Sequence, residues 1–444
     1  MATKKDLIEA QGFSRRRLLS AFTSGAPGGK ELEPAKPLRA VVAGIALTAV
    51  VVIVGIFYGL IRPGLPSGWE NNSLILVNDT GARYVAIDGV LYPVINTASA
   101  RLLIPADEFR VVTTDRSTIE NIEIGSTIGI LGAPDDLPSP DSLIPSGWGA
   151  CIAGDETSVT LSPSASATAA AGGMVATLEG DLFVVTGGER YAVDAASADS
   201  VLRAVGLDTA EQTPVDGRWL NLFTAGETLE PITVLGAGQD VAGTGFVVGE
   251  VVHPVGSDES ERYLLTADGE LAPLSPLAYQ LYLLGTGAEL GPATDVSPAD
   301  LATLSTAPDA AGDADWPDAA ITELDGDPCA VLEHDADGTP RTTLALATSV
   351  EAPAPGVSVA VGGGALVRAA GQGEQTSGMI FLIDESGTAF AIPDATEDTI
   401  ARLGYALDDV SRVPDRWLQF LPTGPALTAE AAASSPESTP AESP

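Results

Sequence analysis

The feature that most constrains this chain is an uncharged apolar run of 22 residues, Ala40–Ile61 (AVVAGIALTAVVVIVGIFYGLI). As an α-helix, this run would be about 33 Å long, which matches the hydrocarbon thickness of a bilayer. A core helix of a soluble protein rarely reaches that length without one charged position. The run therefore predicts a single transmembrane helix, which separates a short amino-terminal tail from a large carboxy-terminal part.

Basic residues are concentrated on one side of this run. Eight of them precede it, including Arg15, Arg16 and Arg17, and only Arg62 follows closely. Because basic segments stay on the cytoplasmic side, we expect a cytoplasmic tail in the inner membrane and a periplasmic, extracytoplasmic location for residues 63–444. No cleavage site follows the triple arginine, so we interpret it as a basic arm rather than an export signal. We predict that the arm contacts a cytoplasmic partner; binding of anionic lipid is the alternative.

The outer part of the chain is strongly acidic. Beyond Arg62 there are 13 basic and 56 acidic residues, a net charge of −43, and no lysine. Such a surface repels phosphate backbones, which argues against nucleic-acid binding. The chain also contains 48 glycines and 32 prolines with only 5% aromatic residues. This composition favours short strands joined by turns over long helices.

The chain has two cysteines, Cys151 and Cys329, and both fall in the outer part. An even number of cysteines in an oxidising compartment predicts one disulfide, although two unpaired buried thiols are the alternative. If the two pair, residues 144–172 and 309–372 meet in one discontinuous central domain. On the chain-entropy model, closing so long a loop stabilises the fold by roughly 5 kcal/mol.

A pattern of an apolar triplet, a glycine-centred turn and a second alternating run recurs four times in the outer part. The triplets begin at Ile75, Phe183, Tyr263 and Phe381, and the turn glycines are Gly81, Gly188, Gly269 and Gly387. Each copy predicts a hairpin of short strands.

The second and fourth copies keep the same spacing over a longer stretch. The matching positions are Gly206 with Gly404, Trp219 with Trp417, and Gly226 with Gly424. The first pair follows short helical patterns and predicts helices that end at a glycine C-cap. The tryptophans lie in matching Arg-Trp-Leu segments, and we interpret them as buried anchors of the repeats rather than as ligand platforms.

Together these patterns predict a single N-terminal transmembrane helix and a β-rich α+β extracytoplasmic domain, built of four hairpin and short-helix repeats around a discontinuous, disulfide-linked central sheet. The expected boundaries are a basic cytoplasmic tail at 1–39, the transmembrane helix at 40–61, a linker at 62–73, repeat 1 at 74–143, the first part of the central domain at 144–172, repeat 2 at 173–240, repeat 3 at 241–308, the second part of the central domain at 309–372, repeat 4 at 373–428 and a disordered tail at 429–444. Residues 162–173 and 309–315 are expected to be flexible connectors.

Residues able to support catalysis are scarce. The only histidines are His253 and His334, and neither accompanies a nucleophile-elbow pattern or enough cysteines for a structural zinc site. The Asp335–Gly338 segment lacks the remainder of a calcium loop and is interpreted as a turn. No glycine-rich stretch carries the lysine of a phosphate loop. We therefore predict no catalytic, cofactor-binding or metal-binding residues, while an outer-domain enzyme acting on ATP or on the cell wall is the alternative.

Three segments stand out at the amino terminus: MATKKDL at 1–7, FSRRRLLSAF at 13–22 and GAPGG at 25–29. With these segments the chain closely resembles the EccB family of actinobacterial and mycobacterial type VII (ESX) secretion systems, and the resemblance continues through the membrane run and the two cysteines to Leu427. It implies a structural core subunit of the channel complex that organises the channel on the periplasmic side, self-associates and assembles with EccC (an ATPase), EccD and EccE. It also implies repeats likened to peptidoglycan-binding modules, and hence possible contact with peptidoglycan. Family members are often labelled ATPases.

Overall fold

The computed structural model describes residues 3–24, 37–60, 65–154, 156–163, 167–312, 315–347, 356–371 and 377–436. The chain divides into two units, one up to residue 64 and the other from Leu65 onward. The first unit contains helices α1 (Lys4–Ser24) and α2 (Pro37–Leu60). Within α2, the 20 residues Leu38–Phe57 have a mean hydropathy of 2.8 and are not buried, so by length and composition they can cross a membrane. Ile61, the end of the predicted run, lies outside the described residues.

Local sequence explains why α2 is a helix throughout. Pro37 occupies its first position, where a helix needs no backbone N–H donor. Thr48, its one hydroxyl residue before the final turn, donates to the Gly44 carbonyl oxygen at 2.9 Å. The hydroxyl is therefore satisfied inside the helix, as an apolar environment requires.

The second unit begins with a four-stranded sheet, called sheet 1. Its elements are β1 (Ser73–Val77), β2 (Ala82–Ile87), β3 (Val90–Pro93), α3 (Thr97–Leu103), β4 (Arg110–Thr114) and α4 (Arg116–Ile119). The strand order is β3-β2-β1-β4, with an antiparallel meander of the first three strands and β4 parallel to β1. Helix α3 makes the crossover and begins at Asn96, whose side chain accepts a hydrogen bond from the Ser99 N–H.

Three strands of a central sheet follow, and the chain then builds sheets 2 and 3. The central strands are β5 (Trp148–Ala153), β6 (Glu156–Leu161) and β7 (Ala167–Ala169). Sheet 2 and its helices comprise β8 (Gly173–Leu178), β9 (Asp181–Thr186), β10 (Glu189–Ala192), α5 (Ala198–Val205), β11 (Gln212–Pro214), α6 (Gly217–Leu220) and β12 (Thr224–Ala225). Sheet 3 and its helices comprise β13 (Val251–Pro254), β14 (Tyr263–Leu265), β15 (Leu271–Pro273), α7 (Pro276–Leu284), α8 (Gly287–Leu290), β16 (Thr294–Val296) and α9 (Pro298–Leu301).

The central sheet is completed by a distant segment. Strands β17 (Pro328–His334), β18 (Pro340–Ala347) and β19 (Gly356–Val359) join the earlier three in the order β19-β6-β5-β17-β18-β7. Cys151 and Cys329 are direct partners across the β5–β17 pair and form a disulfide with a Cα–Cα distance of 4.0 Å. The predicted disulfide is therefore confirmed. Strand β7 lies within residues 162–173, so the expectation of a flexible connector there is wrong for 167–169, which pair with β18.

Sheet 4 ends the described chain. Its elements are β20 (Ala365–Ala370), β21 (Ile380–Ile383), β22 (Ala389–Ile392), α10 (Glu397–Leu403), β23 (Ser411–Pro414), α11 (Asp415–Leu418) and α12 (Ala429–Ala433). Strand β20 was expected in the central domain, but it is the first strand of this sheet. Helix α12 lies in the segment expected to be disordered. Thr428 caps it by accepting from the Ala431 N–H, and Ala432 is small enough to be buried against α3.

Sheets 1 to 4 share one strand order. In each, three strands form an antiparallel meander and a fourth strand lies parallel to the first; sheet 2 adds β12 at its edge. The triplets at Phe183, Tyr263 and Phe381 lie in second strands, whereas Ile75 lies in the first strand of sheet 1. The alignment of the first copy with the other three is therefore wrong by one strand. Both turns of that meander contain a glycine with positive φ, Gly81 (69°) and Gly89 (80°), so the turn signal is the same at each.

The helix ends predicted in the second and fourth copies are confirmed. Gly206 and Gly404 follow α5 and α10 with φ of 85° and 102°, the left-handed conformation of a glycine C-cap.

Apolar clusters show how the sheets of the second unit pack. The largest apolar cluster lies between the central sheet and sheets 2 and 4. The opposite face of sheet 2 packs with sheet 3, and the opposite face of sheet 4 packs with sheet 1. Sheets 2 and 4 therefore lie side by side on one face of the central sheet, with sheet 3 on the far side of sheet 2 and sheet 1 on the far side of sheet 4.

Candidate functional site

The predicted anchor tryptophans attach sheets 2 and 4 to the central sheet. Trp219 and Trp417 are fully buried in the central cluster. The indole N–H of Trp219 donates to the Ala150 carbonyl oxygen on β5 at 2.9 Å, and that of Trp417 donates to Thr342 Oγ1 on β18 at 3.0 Å. Each indole thus fills the space between its own sheet and the central sheet, and its one polar atom is satisfied by the central sheet.

The arginine of each Arg-Trp-Leu segment reaches across to the other segment. Arg416 donates to the main-chain carbonyl oxygens of Asn221 and Phe223, at 3.2 and 3.4 Å. Arg218 lies over the Phe420 ring, 5.1 Å from its centroid. Burial, with a smaller contribution from a neighbouring arginine, lowers the pKa of the Arg416 guanidinium. The Arg-Trp-Leu segments were recognised because the second and fourth copies of the repeat match there. Nothing in the sequence indicated that their arginines link sheets 2 and 4.

A glycine lies against an aromatic ring of the third strand in three of the four sheets. The pairs are Gly125 with Tyr92, Gly226 with Tyr191, and Gly424 with Phe390. A Cβ atom added at either of the first two glycines would lie 2.5 Å from the ring, and one at the third would lie closer still. No side chain fits there, which explains why Gly226 and Gly424 match in the sequence. The pair in sheet 1 was not recognised from the sequence, because the first copy was out of phase.

His253 belongs to a cluster that superficially resembles a catalytic triad. Its Nδ1 lies 2.9 Å from Asp295 Oδ1, and its Nε2 lies 3.3 Å from Ser257 Oγ. However, Nε2 also lies 3.1 Å from the Asp258 carbonyl oxygen, and this contact is favourable only with a proton on Nε2. In that protonation state Nε2 donates to Asp258 and does not accept the Ser257 hydroxyl proton, as a general base would. The hydrogen bond to Asp295 raises the pKa of His253.

His334 and the aspartates that follow it have structural contacts. His334 Nε2 lies 2.7 Å from the Arg412 carbonyl oxygen on β23. Asp335 Oδ1 accepts from the backbone N–H groups of Asp337 and Thr339, which fixes the β17–β18 turn. Over the described ranges of the chain, no group of three or more His, Cys, Asp or Glu side chains is arranged to hold a metal ion.

The basic arm lies on the surface of α1. Arg15, Arg16 and Arg17 are exposed, and none of them forms an ion pair with another described residue. The same helix exposes apolar side chains, with Leu18 at 68% and Phe22 at 93%. A helix with unpaired cations beside exposed apolar groups is suited to contact another surface.

Comparison with known proteins identifies the family. Residues 1–441 match a family model described as type VII secretion system ESX-1, transport TM domain B, EccB. The ESX-1 secretion system ATPase EccB1 of Mycolicibacterium smegmatis strain MKD8 is 25% identical over 441 residues, covering 91% of this chain and 89% of the relative. The ESX-3 secretion system ATPase EccB3 of M. smegmatis strain ATCC 700084 is 26% identical over 439 residues, covering 88% and 82%.

Solved structures with the same fold come from ESX complexes. A chain of an intact ESX-5 inner membrane complex aligns with a TM-score of 0.69 at 22% identity, covering 100% of this chain and 97% of the other. A chain of the EccB3 dimer from the ESX-3 core complex aligns with a TM-score of 0.65 at 21% identity, covering 82% and 100%. Because the family model matches almost the whole length of this chain, the chain belongs to the EccB family of type VII secretion membrane proteins.

Proposed function

We propose that this chain is a structural subunit of an ESX-type secretion membrane complex, which it anchors and organises on the periplasmic side. The observation that carries the proposal is the match over the full chain to a component of an intact ESX-5 inner membrane complex. The internal construction agrees with a scaffold, because buried tryptophans, exchanged arginines and a disulfide tie the sheets to one another. Such a body can hold other subunits at fixed separations without a catalytic cleft.

The orientation across the membrane is part of the proposal. The basic residues before α2 and the net charge of −43 after it favour a cytoplasmic tail and a periplasmic domain. Arg15, Arg16 and Arg17 would contact acidic surfaces of cytoplasmic partners, for which EccC, EccD and EccE are the candidates. Gly44 and Gly55 have no side chain to hold a neighbouring helix away from the α2 backbone, so other membrane helices would approach closely there.

We also propose that sheets 1 to 4 are repeats of one ancestral module. Their common strand order, the matched Arg-Trp-Leu segments and the glycine–aromatic pairs of three sheets support a duplication. Contact of these modules with peptidoglycan is a further proposal, which follows from the family resemblance.

Relatives in this family carry the name ATPase, but we propose that this chain does not hydrolyse ATP. An acidic outer domain without lysine has few cations with which to hold a triphosphate. Isothermal titration of the purified full-length chain with Mg·ATP should detect no binding at millimolar nucleotide. Saturable binding with turnover would overturn this part of the proposal.

The scaffold proposal is tested by reversing the charge of the arm. Replacing Arg15, Arg16 and Arg17 with glutamate should prevent co-purification of the membrane complex and abolish substrate export. Replacement of the same three residues with lysine keeps the charge and serves as the matched control. Insertion is checked first with protease added to spheroplasts, which should digest the outer domain and spare a tag at Met1. Normal assembly and export by the inserted glutamate variant would refute partner binding by the arm.

A further inference from the structure

The outer edge of β4 differs from the edges of the three equivalent strands. Exposed strand edges recruit other strands unless they are short, charged, interrupted by proline or covered. Strand β11 has three residues and ends at Pro214. Strand β16 has three residues and carries Asp295, whose side chain is 76% exposed. In β23, Pro414 ends the strand and the Arg412 carbonyl oxygen is occupied by His334.

Strand β4 has none of these protective features. It is five residues long, with β-branched side chains at Val111, Val112 and Thr113 and neither proline nor an acidic residue. Val111 is 53% exposed. The one charged side chain, Arg110, turns back to donate to Ser73 Oγ at 2.9 Å and to the carbonyl oxygen of Gly68, so it does not shield the edge.

Some backbone N–H and C=O groups of β4 face away from β1 and can form hydrogen bonds with another strand. The Thr114 carbonyl oxygen faces β1, where it accepts from the Asn78 N–H at 2.9 Å. Hydrogen-bonding directions alternate along a strand, so the groups of Val112 also face β1. The N–H and C=O groups of Val111 and Thr113 therefore point outward, away from the sheet.

We propose that this edge pairs with the same edge of a second copy of the chain, antiparallel and about a two-fold axis at Val112. The inference rests on the scaffold function proposed above and on the self-association that the family resemblance implies, which the similar EccB3 dimer supports, and it names the interface. Val111 of one copy then exchanges both main-chain hydrogen bonds with Thr113 of the other, which gives four bonds in all.

Cysteine cross-linking tests the register directly. In the proposed dimer, Val112 meets its own copy in a pair without hydrogen bonds, where Cα atoms lie about 4.5 Å apart. Cys151 and Cys329 are joined at a similar Cα–Cα separation of 4.0 Å, and both are occupied in their own disulfide. Full-length Val112→Cys in membranes under mild oxidant should form a covalent dimer that reductant reverses. Gln212→Cys, on the exposed edge of β11, is the control and should remain monomeric.

A change made in the Val112→Cys background tests the chemistry of the interface. Val111→Pro removes an outward N–H without removing a β1 bond and should reduce the dimer yield at least tenfold.

The outcomes separate this inference from the proposed function. Absence of the Val112→Cys dimer from a complex that still co-purifies refutes β4 pairing and leaves the scaffold function in place. Cross-linking to a different subunit also refutes self-pairing, in favour of a partner strand. Failure of the wild-type chain to co-purify with any membrane complex counts against the proposed function instead.

Discussion

Reduction of the Cys151–Cys329 disulfide should destabilise the central sheet, because the reduced unfolded chain has more conformational entropy than the cross-linked one. The bond closes a loop with a sequence separation of 178, for which the chain-entropy model gives about 5 kcal/mol. In the folded state β5 and β17 already pair in register at this point, so little native structure depends on the bond itself. Strain in the native state and residual structure in the unfolded state both reduce the stabilisation that this model gives. We therefore expect reduction to lower the free energy of unfolding by about 2–5 kcal/mol.

Intrinsic fluorescence in a urea titration of the detergent-solubilised chain provides the assay. Three of the five tryptophans, Trp148, Trp219 and Trp417, lie in the central cluster and report its unfolding. Reductant should lower the midpoint and should raise rather than lower the m-value, since the reduced unfolded chain is more expanded. The wild type compared with and without reductant involves no change of side-chain volume.

A double alanine variant completes the comparison. Cys151→Ala with Cys329→Ala should be insensitive to reductant and should lose slightly more stability than reduced wild type. The additional loss, about 1 kcal/mol, comes from sulfur contacts with the buried Val331 and Ala345. A loss on reduction of less than about 1 kcal/mol would refute the loop-entropy argument and indicate that the intervening sheets stay compact in the unfolded chain.

Three further predictions concern single residues. Gly424→Ala should destabilise sheet 4 by about 1–3 kcal/mol because its methyl group would overlap the aromatic ring, whereas Gly217→Ala, whose nearest new contact is 3.6 Å, should be nearly neutral in urea titration. Trp417→Phe leaves a buried hydroxyl on the central sheet without its donor and should cost about 1–3 kcal/mol in the same assay. The bond to Asp295 raises the pKa of His253, so its stabilisation is present below pH about 6.5 and is lost as pH rises through the folded-state pKa. Proteolysis within residues 254–262 should therefore accelerate above neutral pH in the wild type but not in His253→Gln, and His253→Ala should leave export unchanged.

Features that depend on a few residues with distinctive local chemistry could be predicted from the sequence. The apolar run indicated α2, the two cysteines indicated the discontinuous central sheet, and Gly206 and Gly404 indicated helix ends. Each depends on local chemistry or on a unique pairing, so long-range contacts were not needed to recognise it.

Features that depend on distant partners were missed. The fourth strands, such as β4 and β11, are three to five residues long and pair in parallel, so nothing in their own sequence marks the pairing. The tryptophans were recognised as buried, but their contact with the central sheet depends on how whole sheets pack. The helix at Ala429–Ala433 was missed because its composition resembles a disordered tail until α3 provides a surface.

Because the central sheet is discontinuous, its two disulfide partners are synthesised at different times. A chain made from its amino terminus delivers β5 long before β17, and at 5–20 residues per second the separation of 178 corresponds to about 9–36 s of synthesis. Throughout that interval Cys151 has no partner within its own chain, because the only other cysteine has not yet been made. With two cysteines in the sequence, no wrong pairing within the molecule is available, so the competing reactions are those of Cys151 with thiols or oxidants outside its own chain. Formation of the correct bond therefore depends on Cys151 staying unreacted until β17 has been made, and not on the rearrangement of a wrong intramolecular disulfide.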